Sequence, residues 1–337
     1  MHLISSNSHQ EVFRYEDLSN LKDQDWVAAD LHVHSIYSHD VLPARALHPD
    51  DLFREARNRG MNYFTLTDHD TMQAFDILGQ EDGLVTGVEI KIKDLNLVGH
   101  TIHINIYDLN KAEFMEVEEI AGVECDLKKL LKFLNNHGLP FIYNHPFWFE
   151  PKESPNLKVI PEIVKLFPVI EYNMHQIRRK NELTIELARR YEKGLVAATD
   201  THSGNVGKIF TLAKGDTFRE YFKNIAAGKS YLVFCDMRLE DIIDDVNTWI
   251  KLIFDSGTTR STEAQFSTGL CYLDKLIWAL TSETLSNLPR LSKVLEFLAY
   301  KISNSGIPAY LYLTKENCFV PEIEGQISKL FSCLEKI

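Results

Sequence analysis

Nine residues of metal-ligating type punctuate this chain, and the first two, His32 and His34, stand one residue apart in Asp30-Leu31-His32-Val33-His34. Trp26 to His34 reads as a β-strand. Residues i and i+2 of a strand share a side, so the two imidazoles can aim at one ion. Neutral imidazole suits zinc, manganese and iron alike, which leaves the metal open. A single His-x-His pair is a modest signal, because satisfied surface histidines also fall at that spacing. Repetition strengthens it. Asp40 comes next, then Asp68-His69-Asp70 after Tyr63-Phe64-Thr65-Leu66, and Glu89 at the end of Leu84 to Val88. His103, His145 after Pro140 to Tyr143, and Asp200 with His202 after Leu195 to Thr199 complete the series.

These ligand-type residues sit at or just past strand-like runs, which alternate with helix-like ones. Pro49 to Ala56 starts a helix, with acidic residues in its first turn and Gly60 beyond its end. Leu127, Leu130, Leu131 and Leu134 have helical spacing, and Gly138 stops that helix. Further strands are expected over 62–67, 84–90, 97–107, 141–144, 168–173 and 195–199, with a helix over 180–191. His100 and His103 cannot share a side of a regular strand. The alternation Thr101 to Ile106 favours His103 as the ligand and leaves His100 at a turn beside Gly99. Strand and helix repeating in this way suggest parallel strands with helices outside. A closed barrel would gather all the strand C-termini on one face; a doubly wound open sheet is the alternative.

At 337 residues the chain has room for one barrel of about 250 residues and an appendage. Its 45% hydrophobic and 25% charged residues are ordinary for a globular protein. A net charge of -12, from 36 basic and 48 acidic residues, argues against a protein that coats nucleic acid. Bound cations could still supply local positive charge for a nucleotide or a nucleic-acid end. Cys125, Cys235, Cys271, Cys318 and Cys333 are odd in number and form no CxxC pair, which points to reduced thiols. Residues 1–25 lack the apolar core of a signal peptide, and no run approaches the roughly 18 apolar residues of a membrane helix. The expected location is the cytoplasm, with no membrane partner.

In its motifs the chain resembles the PHP (polymerase and histidinol phosphatase) family of metal-dependent phosphoesterases. Asp30, His32, His34, Ser35 and Asp40 match a D-x-H-x-H-S motif with its later acid. Thr67-Asp68-His69, Gly87-Val88-Glu89, His145-Pro146 and Thr199-Asp200-Thr201-His202 follow in family order, Thr199 standing where Ser or Gly is commoner. The resemblance covers about Val27 to Val233 and implies a distorted (β/α)7 TIM-like barrel holding three divalent ions, Zn, Mn or Fe, with Mg as a further candidate. It implies one ion on His32, His34, Glu89 and Asp200, a second on Glu89, His103 and His145, and a third on Asp40, His69 and His202. A metal-bridging hydroxide would be the nucleophile. His39 competes with Asp40, and Asp68 and Asp70 read equally as ligands or as partners of His69.

The expected organisation is an N-terminal extension (1–25), the phosphoesterase barrel (26–237) and a mostly helical C-terminal region (238–337). Helical spacing appears over 241–254, 270–280 and 288–302, and Ser256 to Thr262 reads as a loop. This appendage would pack on the barrel, form a homodimer or recruit a protein partner. His175 is a candidate acid for the leaving group, and Arg45, Arg178, Arg179 and Lys208 are candidates for gripping phosphate oxygens. The expected activity is hydrolysis of a phosphate ester, with a small phosphorylated metabolite or nucleotide favoured over long nucleic acid. Alternatives are a phosphodiesterase or nuclease acting on oligonucleotide ends, a non-phosphate metal hydrolase, and a non-catalytic scaffold.

Overall fold

The computed structural model describes residues 2–5, 13–14, 25–150, 153–235, 237–254, 275, 278–280 and 288–334. Strands β1 (His2–Ser5), β2 (Phe13–Arg14), β3 (Val27–Asp30), β4 (Tyr63–Phe64), β10 (Phe210–Ala213) and β11 (Ser230–Phe234) form one sheet, in the order β2-β1-β11-β10-β3-β4. Strands β5 (Gly87–Ile92), β6 (Ile102–Tyr107), β7 (Phe141–Tyr143), β8 (Val169–Asn173) and β9 (Gly194–Ala198) form the second in sequential order. The segment expected to be a mere extension thus adds two strands, with β1 antiparallel to β11.

One closed barrel of parallel strands was the expectation, and the structure differs in two respects. First, β6 runs antiparallel to both β5 and β7, while the pairs β3–β4, β7–β8 and β8–β9 are parallel. The β5–β6 connection is a turn without a helix, too short for the crossover of a dozen or so residues that a parallel pair needs. Second, the sheets meet through single bridges instead of ladders: Phe64 with Leu84, His69 with Glu89, and Val33 with Thr201. At the last of these seams Asp200 N–H donates to His32 O (2.8 Å) and His34 N–H to Thr201 O (3.1 Å). Glu89 and His103 lie within the β5–β6 ladder, whereas ladder geometry has ended at His32, His34, His145 and Asp200. Asp200 (φ 49°) and His145 (φ 24°) have left-handed backbones that cannot continue a strand. Strand β3 stops at Asp30, and His32 and His34 lie just past its end.

Helices α1 (Pro49–Asn58), α2 (Ala74–Leu78), α3 (Lys111–Glu118), α4 (Leu127–His137), α5 (Ile160–Leu166), α6 (Arg178–Arg190) and α7 (Phe218–Ala226) connect the strands. In α4 the Asp126 side chain accepts from Lys129 N–H (2.9 Å), and Gly138 closes the helix at φ 61°. Its four leucines are buried, a contribution on the order of 2 kcal/mol each. Asp30, fully buried, fastens β3 to the loops beside it: it accepts from Thr199 N–H (3.0 Å), Thr199 Oγ1 (2.6 Å) and Gly207 N–H (2.8 Å).

The C-terminal region contributes α8 (Leu239–Phe254), α9 (Pro289–Asn304) and α10 (Ile307–Leu334). Most of the 270–280 stretch and the expected 256–262 loop lie outside the described residues. Helix α10 buries Ile323 and Ile327 in the main core, and Leu252 of α8 joins the cluster beneath β3 and β4. Polar ties complete the docking: Lys180 with Glu316 (2.5 Å), Arg179 with Glu324, Lys208 with Asp241 (3.3 Å), and Asn205 Nδ2 donating to Asp245 (2.7 Å). The appendage therefore packs on the catalytic-type fold. No helix among the described residues is long and apolar enough to cross a membrane.

Two measurements test this account. A Cβ at Gly194 would lie 2.3 Å from Ile225 O and 2.9 Å from Ala226 Cα, both backbone atoms. Gly194→Ala should therefore lose about 1–3 kcal/mol in urea unfolding. Burial outweighs the hydrogen bonds of Asp30 and pushes its carboxyl up to about 6. The protonated form is thus favoured by folding, so its contribution is full below about pH 4 and lost as pH rises through 6. In chelated protein, the stability difference between wild type and Asp30→Asn should fall on the order of 3 kcal/mol across that window.

Candidate metal centre

Glu89, buried on β5, is the point where the ligand-type residues converge. Its Oε2 lies 3.1 Å from His32 Nε2, 3.2 Å from His34 Nε2 and 3.2 Å from His69 Nδ1. Its Oε1 lies 3.0 Å from His103 Nδ1 and 3.3 Å from His145 Nε2. Asp200 Oδ1 adds contacts of 3.2 Å to His32 and 3.1 Å to His34, whose Nε2 atoms are 3.0 Å apart. Such separations are those of donors roughly 2.1 Å from a common ion. The β-alternation argument for His32 and His34 holds although the strand itself has ended.

Four groups have their ligand atoms close enough to hold an ion: His32, His34, Glu89 and Asp200; His34, Asp40, His69 and His202; His69, Glu89 and His103; and His32, His145 and Glu171. The first is the expected set unchanged. The second is the expected third set with His34 added. His103 shares Glu89 as expected, but its third neighbour is His69, whereas His145 groups with His32 and Glu171. Asp40, not His39, carries the ligand contacts, at 3.3 Å from His69 and 2.8 Å from His202. His39 is exposed and packs its ring 4.9 Å from that of His69. His100 is buried at a bend beside Gly99, where its Nδ1 accepts from Asn156 N–H.

The supporting contacts fix which nitrogen each ring presents. A carboxylate can only accept, so Glu171, 2.7 Å from His32 Nδ1, takes that proton and leaves Nε2 free to ligate. The Asp200 carbonyl does the same for His202 Nδ1 (2.9 Å). Ser38 Oγ lies 2.9 Å from His34 Nδ1 and also accepts from His69 N–H. Asn144 Nδ2 donates to Glu89 (2.7 Å), and Asn173 Nδ2 to Asp200 (2.9 Å) and Glu171 (3.2 Å). Asp68 is a partner and no ligand, since both its oxygens are taken by Ser35 N–H and Oγ (2.6 and 2.7 Å). Asp70 instead accepts from Lys91 N–H. Glu171, Asn144, Asn173 and Ser38 escape the sequence reading. Only Glu171 leaves a trace there, as a carboxylate inside the apolar strand Val169–Asn173.

The electrostatics call for cations. Burial would raise Glu89, Asp200 and Asp40, yet the neighbouring imidazoles hold all three well below the carboxylate range. Burial would equally lower His34 and His103. Hydrogen bonds to Asp200 and Glu89 push His34 up to about 10, and the Glu89 charge with a Glu150 contact pushes His103 to about 9. In the ion-free protein His34 and His103 thus serve as counter-cations, while burial pushes His69 down. Even so, Asp40 Oδ1 and His69 Nδ1 are buried without a hydrogen-bond partner. Such orphaned donor atoms, facing other ligand atoms, fit divalent ions.

The centre opens into a cavity of about 440 Å³, whose lining includes Lys91, Trp148, His175, Gln176, Trp249 and Tyr312 beside the ligand-type residues. The four basic residues singled out in the sequence do not line it. Arg45 pairs with Asp51, Arg178 and Arg179 with Glu182, and Lys208 with Asp241. His175 does line it, with its Nε2 buried and unpartnered.

A family model described as the PHP domain matches residues 30–233, well over half of the chain. The protein belongs to the PHP domain family. No curated protein matches it. Among solved structures, it is similar to PsfC from Pseudomonas syringae, at 14% identity and TM-score 0.47 over 63% of this chain and 93% of that one. A protein from Bifidobacterium adolescentis, assigned as a metal-dependent phosphoesterase, is 15% identical with TM-score 0.41 over 58% and 95% of the two chains. The lesion-specific endonuclease Q of Pyrococcus furiosus is 14% identical with TM-score 0.46 over 65% and 60%.

Removing a supporting partner should weaken metal binding while leaving the ligands in place. Glu171→Gln and Asn144→Leu are each expected to lower zinc or manganese affinity about 10–100-fold in metal titrations. Loading wild type at about 100 times Kd should add about 2.7 kcal/mol to its unfolding free energy.

Proposed function

We propose that the protein is a metal-dependent phosphoesterase that hydrolyses the phosphate ester of a small metabolite or nucleotide. The observation that carries this reading is the meeting of five imidazoles on the buried Glu89 carboxylate at the floor of an open cavity. Within this reading the centre takes three ions. His32, His34, Glu89 and Asp200 hold the first; Asp40, His69 and His202, with His34 alongside, hold another. Glu89 and His103, with His145 beside the same carboxylate oxygen, would hold the third. Divalent ions held there would supply positive charge for phosphate oxygens and lower the pKa of water.

The chain's own groups then orient and exclude. Glu171 and the Asp200 carbonyl fix the tautomers of His32 and His202, and Asn144 and Asn173 hold Glu89 and Asp200 in their angles. Trp148 packs beside His103 and His145, ring centroids 5.1 and 5.3 Å away. In this proposal His175, which lines the cavity, meets the departing oxygen. Burial pushes it below the usual imidazole range, so at neutral pH it offers an N–H hydrogen bond instead of a full charge. Two of the bridges between the sheets, Val33 with Thr201 and His69 with Glu89, lie at ligand-type residues, which supports reading the two sheets as one distorted (β/α)7 barrel.

His32→Ala combined with His34→Ala tests the proposal. Metal content by elemental analysis and turnover across phosphomonoesters and phosphodiesters should fall together, by at least about 10³-fold in kcat/KM. A double variant that keeps full phosphatase activity overturns it.

A further inference from the structure

Gln176 is a polar residue of the cavity that the hydrolytic centre does not use. It is 3% exposed, it lines the cavity, and neither its Oε1 nor its Nε2 has a hydrogen-bond partner. An orphaned buried amide costs about 1–3 kcal/mol per unsatisfied atom, a penalty that a folded protein rarely carries without use. Its backbone is held firmly, N–H donating to Asn173 O (3.2 Å) and O accepting from Asn181 Nδ2 (3.3 Å). The backbone that carries the amide is therefore fixed at the loop that follows β8.

The wall beside it is aromatic and comes from the C-terminal region, outside the span matched by the family model. Tyr312 of α10 donates its hydroxyl proton to His175 O (2.8 Å), which pins its ring to the same loop. Trp249 of α8 packs against the core cluster beneath β3 and β4 and lines the cavity too. The ion pair of Lys180 with Glu316, both largely buried, clamps α10 to α6 directly after that loop. Two aromatic side chains and an unpartnered amide thus share one cavity with the ligand-type residues.

We infer that Gln176, Trp249 and Tyr312 form a leaving-group subsite for a planar nitrogen heterocycle with adjacent donor and acceptor, the chemistry of a nucleobase. A glutamine amide presents a donor and an acceptor side by side, and this pair matches such an edge bidentately. Aromatic rings stack on its faces at about 1–3 kcal/mol per base. An aliphatic leaving group would leave the amide unpaired. Specificity therefore resides in the C-terminal helices, and the metal centre supplies the chemistry. The inference deepens the phosphoesterase reading and rests on it only for where the phosphate sits.

The test uses the full-length, metal-loaded protein with Gln176→Leu and Tyr312→Ala. Wild type should turn over at least one nucleoside monophosphate with a kcat/KM about tenfold or more above that for glycerol phosphate. Gln176→Leu should raise KM for that nucleotide about tenfold or more with kcat reduced less than threefold, and Tyr312→Ala should act in the same direction. Because leucine removes an unpartnered amide, the Gln176→Leu protein should unfold at an equal or higher temperature than wild type. A lower unfolding temperature, or equal losses on both esters, would show a structural role and overturn the inference. Calorimetric titration with the unphosphorylated nucleosides separates the two readings. Nucleoside binding that Gln176→Leu abolishes, without turnover of any ester, keeps the subsite and defeats the phosphoesterase reading. Turnover without nucleoside preference or binding does the reverse.

Discussion

A single buried carboxylate, Glu89, meets five imidazoles drawn from four separate stretches of chain: residues 32 and 34, 69, 103, and 145. A desolvated charge of this kind is costly unless it is paired, and among the described residues its ion-pair partners are imidazoles that are themselves buried. Without cations the carboxylates push His32, His34 and His103 up, while burial pushes His69 down. The constraint explains why the ligand-type residues arrive together with a set of partners that fix tautomers and carboxylate angles. Glu171, Ser38, Asn144 and Asn173 do this work from the strands and loops around the centre.

The same constraint shapes the fold. To bring ligands from different strand ends to one point, the backbone leaves ladder geometry at residues 31–34, 145 and 200. His145 and Asp200 accept left-handed conformations of the sort that cost on the order of 1–3 kcal/mol and that survive where surrounding structure holds them. Asp200 is held by its N–H to His32 O, and His145 by its N–H to Glu171. The two sheets consequently touch through single bridges, and the continuous pairing of a regular barrel is lost at the site itself.

Around this centre the C-terminal helices take a part that their sequence does not announce. They bury apolar residues against the core and tie themselves to α6 through Lys180 and Arg179, two cations close to the loop bearing His175 and Gln176. Arg179 and Lys208 look like phosphate ligands when read in sequence. Their carboxylate partners on α10 and α8 use them to fasten the appendage instead. Charge type is visible in a sequence, whereas the partner that claims a charge is set by packing.

The sequence by itself determined the ligand-type residues, the strands between residues 26 and 199 with helices α1, α4 and α6 among them, and the family to which they belong. Local rules suffice there: alternation aims His32 and His34 together, helical spacing and Gly138 bound α4, and Glu89 stands out as a charge at the end of an apolar run. Tertiary structure alone decided that β6 runs antiparallel to its neighbours, that His145 sits with His32 and Glu171, and that Asp68 serves Ser35 instead of an ion. It also decided that Trp249 and Tyr312 wall the cavity. These outcomes depend on contacts between residues tens to more than a hundred positions apart, whose energies come from burial and pairing that no local pattern encodes.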